Sequence, residues 1–326
     1  MRDKGKKLWH SNDNGRTFTK YEGNPVVENI SGGNDRDPKV LWHEPTQKWV
    51  MVLFLGKGRG FAFLTSDDLK TWKQHSEIRG FHECPELFEL PVDGDEKNTK
   101  WVLFGGDAKY MLGRFDGKEY TPDHKGKHQV HWGRYYASQT FSNAPDGRRI
   151  QMAWLRGLTS PGPYNQHFSF PHRLTLRTTA DGVRMFAEPI EEIEKLHNGT
   201  VELEAASLAD GKSLVVPVSS DLLDVRLSVE LGDAKQITLD LPGRSVTYDA
   251  AAQRLGPAPL NPIDGRITIR VLADRAITEI IGNDGRVYIS GGGDPEPGAG
   301  QVSVTAAGGN AKRVSLEAHQ IKSIWK

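Results

Sequence analysis

Trp49-Val50-Met51-Val52-Leu53-Phe54-Leu55, a turn over Gly56-Lys57-Gly58-Arg59-Gly60, and then Phe61-Ala62-Phe63-Leu64-Thr65 settle the fold class. Both apolar runs have strand length and are rich in aromatic and β-branched residues, and they read as neighbouring strands of a buried hairpin. The glycine-rich turn lacks the closing Lys-Ser/Thr of a phosphate loop, so no nucleotide site is expected there. Outward from this pair the pattern repeats. Val40-Leu41-Trp42 precedes it, and Leu87 to Leu90, Trp101 to Phe104, Tyr110 to Phe115, Tyr135 to Phe141 and Ile150 to Leu155 follow. Turn signals separate the runs at Glu44-Pro45-Thr46, Asp93-Gly94-Asp95 and Pro145-Asp146-Gly147. Repeated sets of four short antiparallel strands are how propeller blades read. Ser11 to Phe18 and Ser66 to Trp72 each hold a Ser-x-Asp turn leading to an aromatic, as expected of equivalent blade positions.

From Thr200 onward the pattern becomes Val/Leu/Ile alternation broken by Gly, Asp and Pro, as in Leu222 to Leu231, Gln236 to Leu241, Arg266 to Leu272, Ile277 to Ile281 and Val314 to Ile324. So many short strands predict a two-sheet sandwich. Pro189 to Leu196, acidic near its start and with Lys195 near its end, is the helix expected to connect the halves, its charges complementing the helix dipole.

Composition excludes several classes. Of 326 residues, 37% are hydrophobic and 26% charged, the balance of a globular chain long enough for two domains. Lys plus Arg equals Asp plus Glu at 42 each, so no net field attracts nucleic acid or an anionic membrane, and a neutral substrate fits. No stretch has the length of a membrane span, and the polar, basic start at Met1 to Lys7 carries no export signal. The single cysteine, Cys84, leaves the redox compartment open. His124, His128 and His131 have metal-like spacing, but Lys125, Gly126 and Lys127 mark a solvated loop. No metal and no cofactor is expected.

Two acidic stretches carry the chemistry: Gly33-Asn34-Asp35-Arg36-Asp37-Pro38-Lys39 and Phe81-His82-Glu83-Cys84-Pro85-Glu86-Leu87-Phe88. Apolar neighbours around Glu83 disfavour its ionised form, and a carboxylic acid kept protonated near neutral pH can protonate a leaving oxygen in glycosidic-bond cleavage. Read alone, Glu83 also fits a strand-edge acid beside a buried Cys and Pro, and Asp37 a turn residue before Pro38. Taken in order with Trp49 to Leu53, Phe115-Asp116-Gly117, Tyr135 to Phe141 and Arg148 to Trp154, these stretches resemble glycoside hydrolase family 32, the fructan hydrolases and invertases. The segment Ile269 to Gly285 is similar to that family's C-terminal sandwich signature.

The resemblance implies an all-β chain, an incomplete five-bladed β-propeller followed by a C-terminal β-sandwich. The expected division is a partial propeller over 1–188, a linker helix over 189–199 and the sandwich over 200–326. It implies Glu83 as acid/base and Asp37 as the transition-state stabiliser that binds fructose hydroxyls, with Arg36, Cys84 and Trp154 among the substrate contacts. His82 stands where the family usually has Trp. The implied ligand is a fructose-containing oligo- or polysaccharide, and Tyr164 to Pro171 looks more like the levanase and exo-inulinase side. The family's nucleophile lies in an Asn-Asp-Pro-Asn-Gly motif; Asn12-Asp13-Asn14-Gly15 lacks the proline and sits too near Asp37 to match it. The chain is therefore expected to begin inside the second blade, without the nucleophile, to be impaired in catalysis, and to self-associate as a homo-oligomer through the open blade edge.

Overall fold

The computed structural model describes residues 5–158, 166–218, 220–292 and 300–324, and they are nearly all β-structure. Tyr164 and Asn165, part of the levanase-like stretch, lie outside the described residues. Internal contacts divide the chain into two units, Met1–Gln129 with Ala137–Gln139 and Val130–Tyr136 with Thr140–Lys326.

In the first unit, β1 (Trp9–His10) pairs with β2 (Thr19–Lys20). A four-stranded antiparallel meander follows, β3 (Arg36–His43), β4 (Lys48–Leu55), β5 (Gly60–Ser66) and β6 (Lys73–Ile78). A second meander comprises β7 (Glu86–Val92), β8 (Asp95–Phe104), β9 (Lys109–Phe115) and β10 (Tyr120–Pro122), with β11 (His128–Gln129) also on β9. β4 is covered on both faces. Val50, Val52 and Phe54 join Phe61, Phe63, Phe81, Leu87 and Leu103 on one side, and Met51, Leu53 and Leu55 join Val27, Ala62 and Leu64 on the other. Two-sided burial is why this run reads as continuously apolar rather than alternating. The repeated Ser-x-Asp turns prove closely alike. Asp13 accepts from the Arg16 and Thr17 amides and the Thr17 hydroxyl, Asp68 from the Lys70 and Thr71 amides and the Thr71 hydroxyl, and in each turn the serine hydroxyl caps the Asp.

The second unit begins with β12 (His131–Gly133), followed by β13 (Tyr135–Thr140), whose middle residues group with the first unit. β14 (Arg149–Leu155) pairs with β15 (His167–Phe168) and with β16 (His172–Thr179), which also pairs with β17 (Gly182–Pro189). The connector is a 3-10 run of six residues, Glu191–Leu196. Ile190 offers it no side-chain cap, and so short a segment cannot nucleate an α-helix on its own. It is held from outside, by Arg148 donating to both Glu192 oxygens at 3.0 and 2.8 Å.

Twelve further strands among the described residues complete this unit: β18 (His197–Ala205), β19 (Ser213–Val216), β20 (Leu222–Glu230), β21 (Gln236–Leu241), β22 (Arg244–Asp249), β23 (Arg254–Leu255), β24 (Ala258–Pro259), β25 (Arg266–Asp274), β26 (Ile277–Gly282), β27 (Val287–Gly291), β28 (Val302–Ala307) and β29 (Val314–Ile321). They make two sheets, ordered β12-β27-β26-β25-β20-β29-β18 and β19-β28-β21-β22-β23-β24. Val225, Leu227 and Val229 of β20 and Ile267, Ile269 and Val271 of β25 alternate inward to meet Ile237, Leu239, Val302 and Val304. The residues between them, such as Arg226, Ser228 and Thr268, lie on the other, partly exposed face, the one-sided burial of a sandwich. β12 joins β27 in parallel register within this unit, His131 opposite Tyr288.

Candidate active site

Arg36 and Asp37 sit where β3 breaks its register with β4: Arg36 faces Phe54, and pairing resumes only at Lys39 and Val52. Pro38 has no N–H for the ladder, and Asp37 takes a left-handed φ of 56°, so the strand bulges and re-aims both side chains. The approach is anchored by Asp35, which accepts from the Ile30 amide at 2.7 Å, the Ser31 amide at 2.9 Å, the Gly56 amide at 2.8 Å and the Ser31 hydroxyl. Burial opposes its ionisation, but these hydrogen bonds outweigh burial and hold the carboxyl below its usual range.

The Arg36 guanidinium lies 4.6 Å above the Phe54 ring and donates to the Asn34 carbonyl at 2.9 Å. From there it reaches two carboxylates. Its Nη2 donates to Glu83 Oε1, and its Nε stands 3.6 Å from Asp37 Oδ2. One planar cation thus spans acids that lie in separate stretches of sequence.

Glu83 and Cys84 both have a φ of 44°, a consecutive left-handed pair made of residues with side chains. Such a pair is strained and persists only where its surroundings fix it. Asp37 does part of this, accepting from the Cys84 amide at 3.2 Å with the thiol 3.6 Å away. Burial, then the adjacent Asp37 carboxylate, pushes the Cys84 thiol up to about 12, so it stays protonated and is no nucleophile. The turn also corrects the surroundings expected of Glu83. Phe81, Leu87 and Phe88 point into the core, whereas the Glu83 carboxylate faces Arg36 and, at 3.5 Å, the exposed His82.

Asp37, Arg36, Glu83 and Cys84 are therefore together in the first unit. Trp154 belongs to the second, on β14, where its indole N–H donates to Gln166 and its ring meets Tyr136 edge-on at 6.1 Å. The three histidines with metal-like spacing divide: His124 and His128 lie with tilted rings 4.1 Å apart in the first unit, while His131 is buried in the second at 3.0 Å from His172. No metal-ligating group of three occurs among the described residues.

Sequence reasoning missed Lys39 and Glu86, which form an ion pair at 2.8 Å with the Glu86 side chain fully buried. The available signal was a glutamate inside the apolar run opening β7, which must find a cation or donor when buried. It also missed Gly106, whose amide touches the Glu83 turn and which no local pattern marks.

Residues 2–189 match the profile of the glycosyl hydrolases family 32 N-terminal domain, and residues 192–320 match that of the family's C terminal domain. The chain belongs to glycosyl hydrolase family 32. A levanase of Bacillus subtilis is 30% identical over 372 aligned residues that cover 97% of this chain and 54% of the relative. A levanase of Bacillus sp. strain L7 is 32% identical, covering 98% of this chain and 41% of that protein. This family 32 chain thus spans about half the length of the curated relatives it matches. Among solved structures, an exo-inulinase from Aspergillus awamori superposes with a TM-score of 0.88 at 24% identity, over 98% of this chain and 75% of that one. That likeness extends the β-propeller and β-sandwich fold of the family to this chain.

Proposed function

We propose that this chain acts on β-fructofuranosides, levan, inulin or sucrose, through the retaining chemistry of glycoside hydrolysis. The reading is carried by the meeting of Asp37 and Glu83 on the single guanidinium of Arg36. Of the groups that retaining cleavage of a glycosidic bond uses, these two would supply the acid/base carboxyl and a neighbouring negative charge. In this reading Glu83 is the acid/base, its carboxyl giving a proton to the leaving oxygen of a bound fructoside. Asp37 accepts hydrogen bonds from fructose hydroxyls, and its charge stabilises the oxocarbenium-like centre. Arg36 keeps the two acids apart and oriented. Cys84 lines the site as a neutral thiol.

The retaining scheme also requires an attacking carboxylate, and no Asn-Asp-Pro-Asn-Gly occurs in the 326 residues. A second reading is a non-catalytic fructan-binding protein of the same fold. In both readings residues 1–188 are the propeller part that takes the sugar, catalytic only in the first, with 189–199 the linker and 200–326 the sandwich. Within its sheet, among the described residues, β3 pairs with β4 alone and exposes Val40 and Trp42, which supports self-association through that edge. Fructose release from levan, inulin and sucrose, measured beside direct binding of the same sugars, tests the proposal. Release abolished in Glu83→Gln supports hydrolysis, binding without release supports the second reading, and neither release nor binding refutes both. Light scattering that shows a monomer at every concentration refutes the edge contact.

A further inference from the structure

A turn with two left-handed central residues is ordinarily closed by a hydrogen bond from the N–H of its fourth residue to the C=O of its first. In His82-Glu83-Cys84-Pro85 the fourth residue is proline, which has no N–H. The strained pair at Glu83 and Cys84 therefore cannot close its own turn. A donor arrives from a different strand connection. The amide of Gly106, between β8 and β9, donates to the His82 carbonyl at 3.0 Å and to the Glu83 carbonyl at 2.9 Å.

That amide is itself fixed. The loop closes on itself through Ala108 N–H to Gly105 O at 3.0 Å, it is tied to β9 through Gly105 N–H to Lys109 O at 3.0 Å, and Gly106 O accepts from the Ala137 amide at 3.1 Å. The residue also leaves little room for a side chain. A Cβ on Gly106 would lie 3.3 Å from Glu83 O, 3.4 Å from Cys84 Cβ and 3.4 Å from His82 O, so its three nearest contacts are all with this one turn.

We propose that Gly106 is a positioning residue for Glu83, its amide supplying the closing hydrogen bond that Pro85 denies the turn and its missing side chain letting the turn seat. The proposal deepens the fructoside-hydrolase reading above and rests on it for its catalytic meaning. The geometry itself concerns only where the Glu83 carboxyl is held. Asp37 fixes the turn from one side through the Cys84 amide and Gly106 from the other, so displacing Gly106 moves the carboxyl relative to Arg36 without removing any group that touches the sugar.

The test compares wild type, Gly106→Ala, Pro85→Ala and the double variant. In Gly106→Ala the methyl pushes on the turn, and kcat for fructose release is expected to fall about tenfold with KM within roughly threefold. Pro85→Ala restores an N–H that can close the turn from within, so the seating of Glu83 depends less on residue 106 and the double variant is expected to lose less than the two single losses combined. A carbon-13 titration of the Glu83 carboxyl reads the same displacement without any turnover, and its midpoint is expected to move by about half a pH unit or more in Gly106→Ala. An unchanged titration overturns the proposal, as do losses that simply add in the double variant. If wild type releases no fructose and binds no sugar, the hydrolase reading fails while the titration still decides the positioning role. Circular dichroism of each variant identifies one that has not folded, and the Pro85→Ala comparison then carries the decision.

Discussion

Two glutamates, Glu83 in the first unit and Glu279 in the second, show opposite ways of holding a carboxyl group. Glu83 sits on a strained turn, partly exposed, against a guanidinium. Glu279 on β26 has no exposure at all and is surrounded by neutral donors: the Tyr288 hydroxyl, the Ser290 hydroxyl at 3.1 Å and the Phe170 amide at 3.1 Å. Burial dominates there and pushes Glu279 up to about 8, although each of those hydrogen bonds pulls the other way. Nearby, burial lowers His172 to about 4 and holds His131 well below its usual range, so both imidazoles are neutral. A hydrogen-bonded interior can thus store an uncharged acid as structure, whereas a site for chemistry keeps its acid at the edge of solvent with a cation against it.

The largest effect is expected at Glu83. Glu83→Gln keeps size and polarity but cannot cycle a proton, and fructose release is expected to fall by roughly 10³-fold, read by a reducing-sugar assay with the fold checked by circular dichroism. Glu279→Leu is expected to leave release little changed per folded molecule while costing about 3 kcal/mol of stability in urea unfolding, because it strands the donors of Tyr288, Ser290 and Phe170. A large catalytic loss at Glu279 with no loss of stability would invert the two roles.

Stability as a function of pH separates the two acids further. A carboxyl whose folded value is raised contributes stability that is full below its unfolded value near 4.5 and lost as pH rises toward about 8. The buried histidines, His43, His131, His172 and His319, act in the opposite sense below about 6.5, since lowered values add stability as pH climbs to that point. The window from about 6.5 to 8 therefore isolates Glu279, and wild type is expected to lose about 2 kcal/mol across it. Glu279→Gln should flatten that slope, and a slope that persists would assign it elsewhere. The smallest effect is expected of Arg36→Lys, which keeps the charge but not the fork. A roughly tenfold fall in kcat/KM fits an arginine that orients both acids, and wild-type kinetics would mean that charge alone suffices.

Much of the fold is legible in the amino-acid sequence. The run Trp49 to Leu55 marks β4 because a strand covered on both faces must be apolar throughout, and Leu222 to Leu231 marks β20 because one covered on a single face must alternate. The motifs around Asp37 and Glu83 are visible because each is contiguous. Their environment is not. Sequence neighbours make Glu83 look apolar, but the left-handed pair at Glu83 and Cys84 turns the acid away from Phe81 and Phe88 and toward an arginine 47 residues distant. Glu279 lies inside an apolar strand whose periodicity is plain, yet that pattern cannot tell an ion-paired acid from a protonated one.

The order of residues along the chain is enough to set where strands form, which face of each is apolar, and which short motifs carry acids of the family 32 type, because strand pairing and burial answer to local periodicity. Folding in three dimensions was needed to bring Asp37 and Glu83 onto one guanidinium, to close with Gly106 the turn that Pro85 leaves open, and to seal Glu279 among neutral donors. Those facts depend on which backbone and side-chain groups from distant stretches come within about 3 Å of one another, and hydrogen bonds and ionisation respond to that distance rather than to separation along the chain.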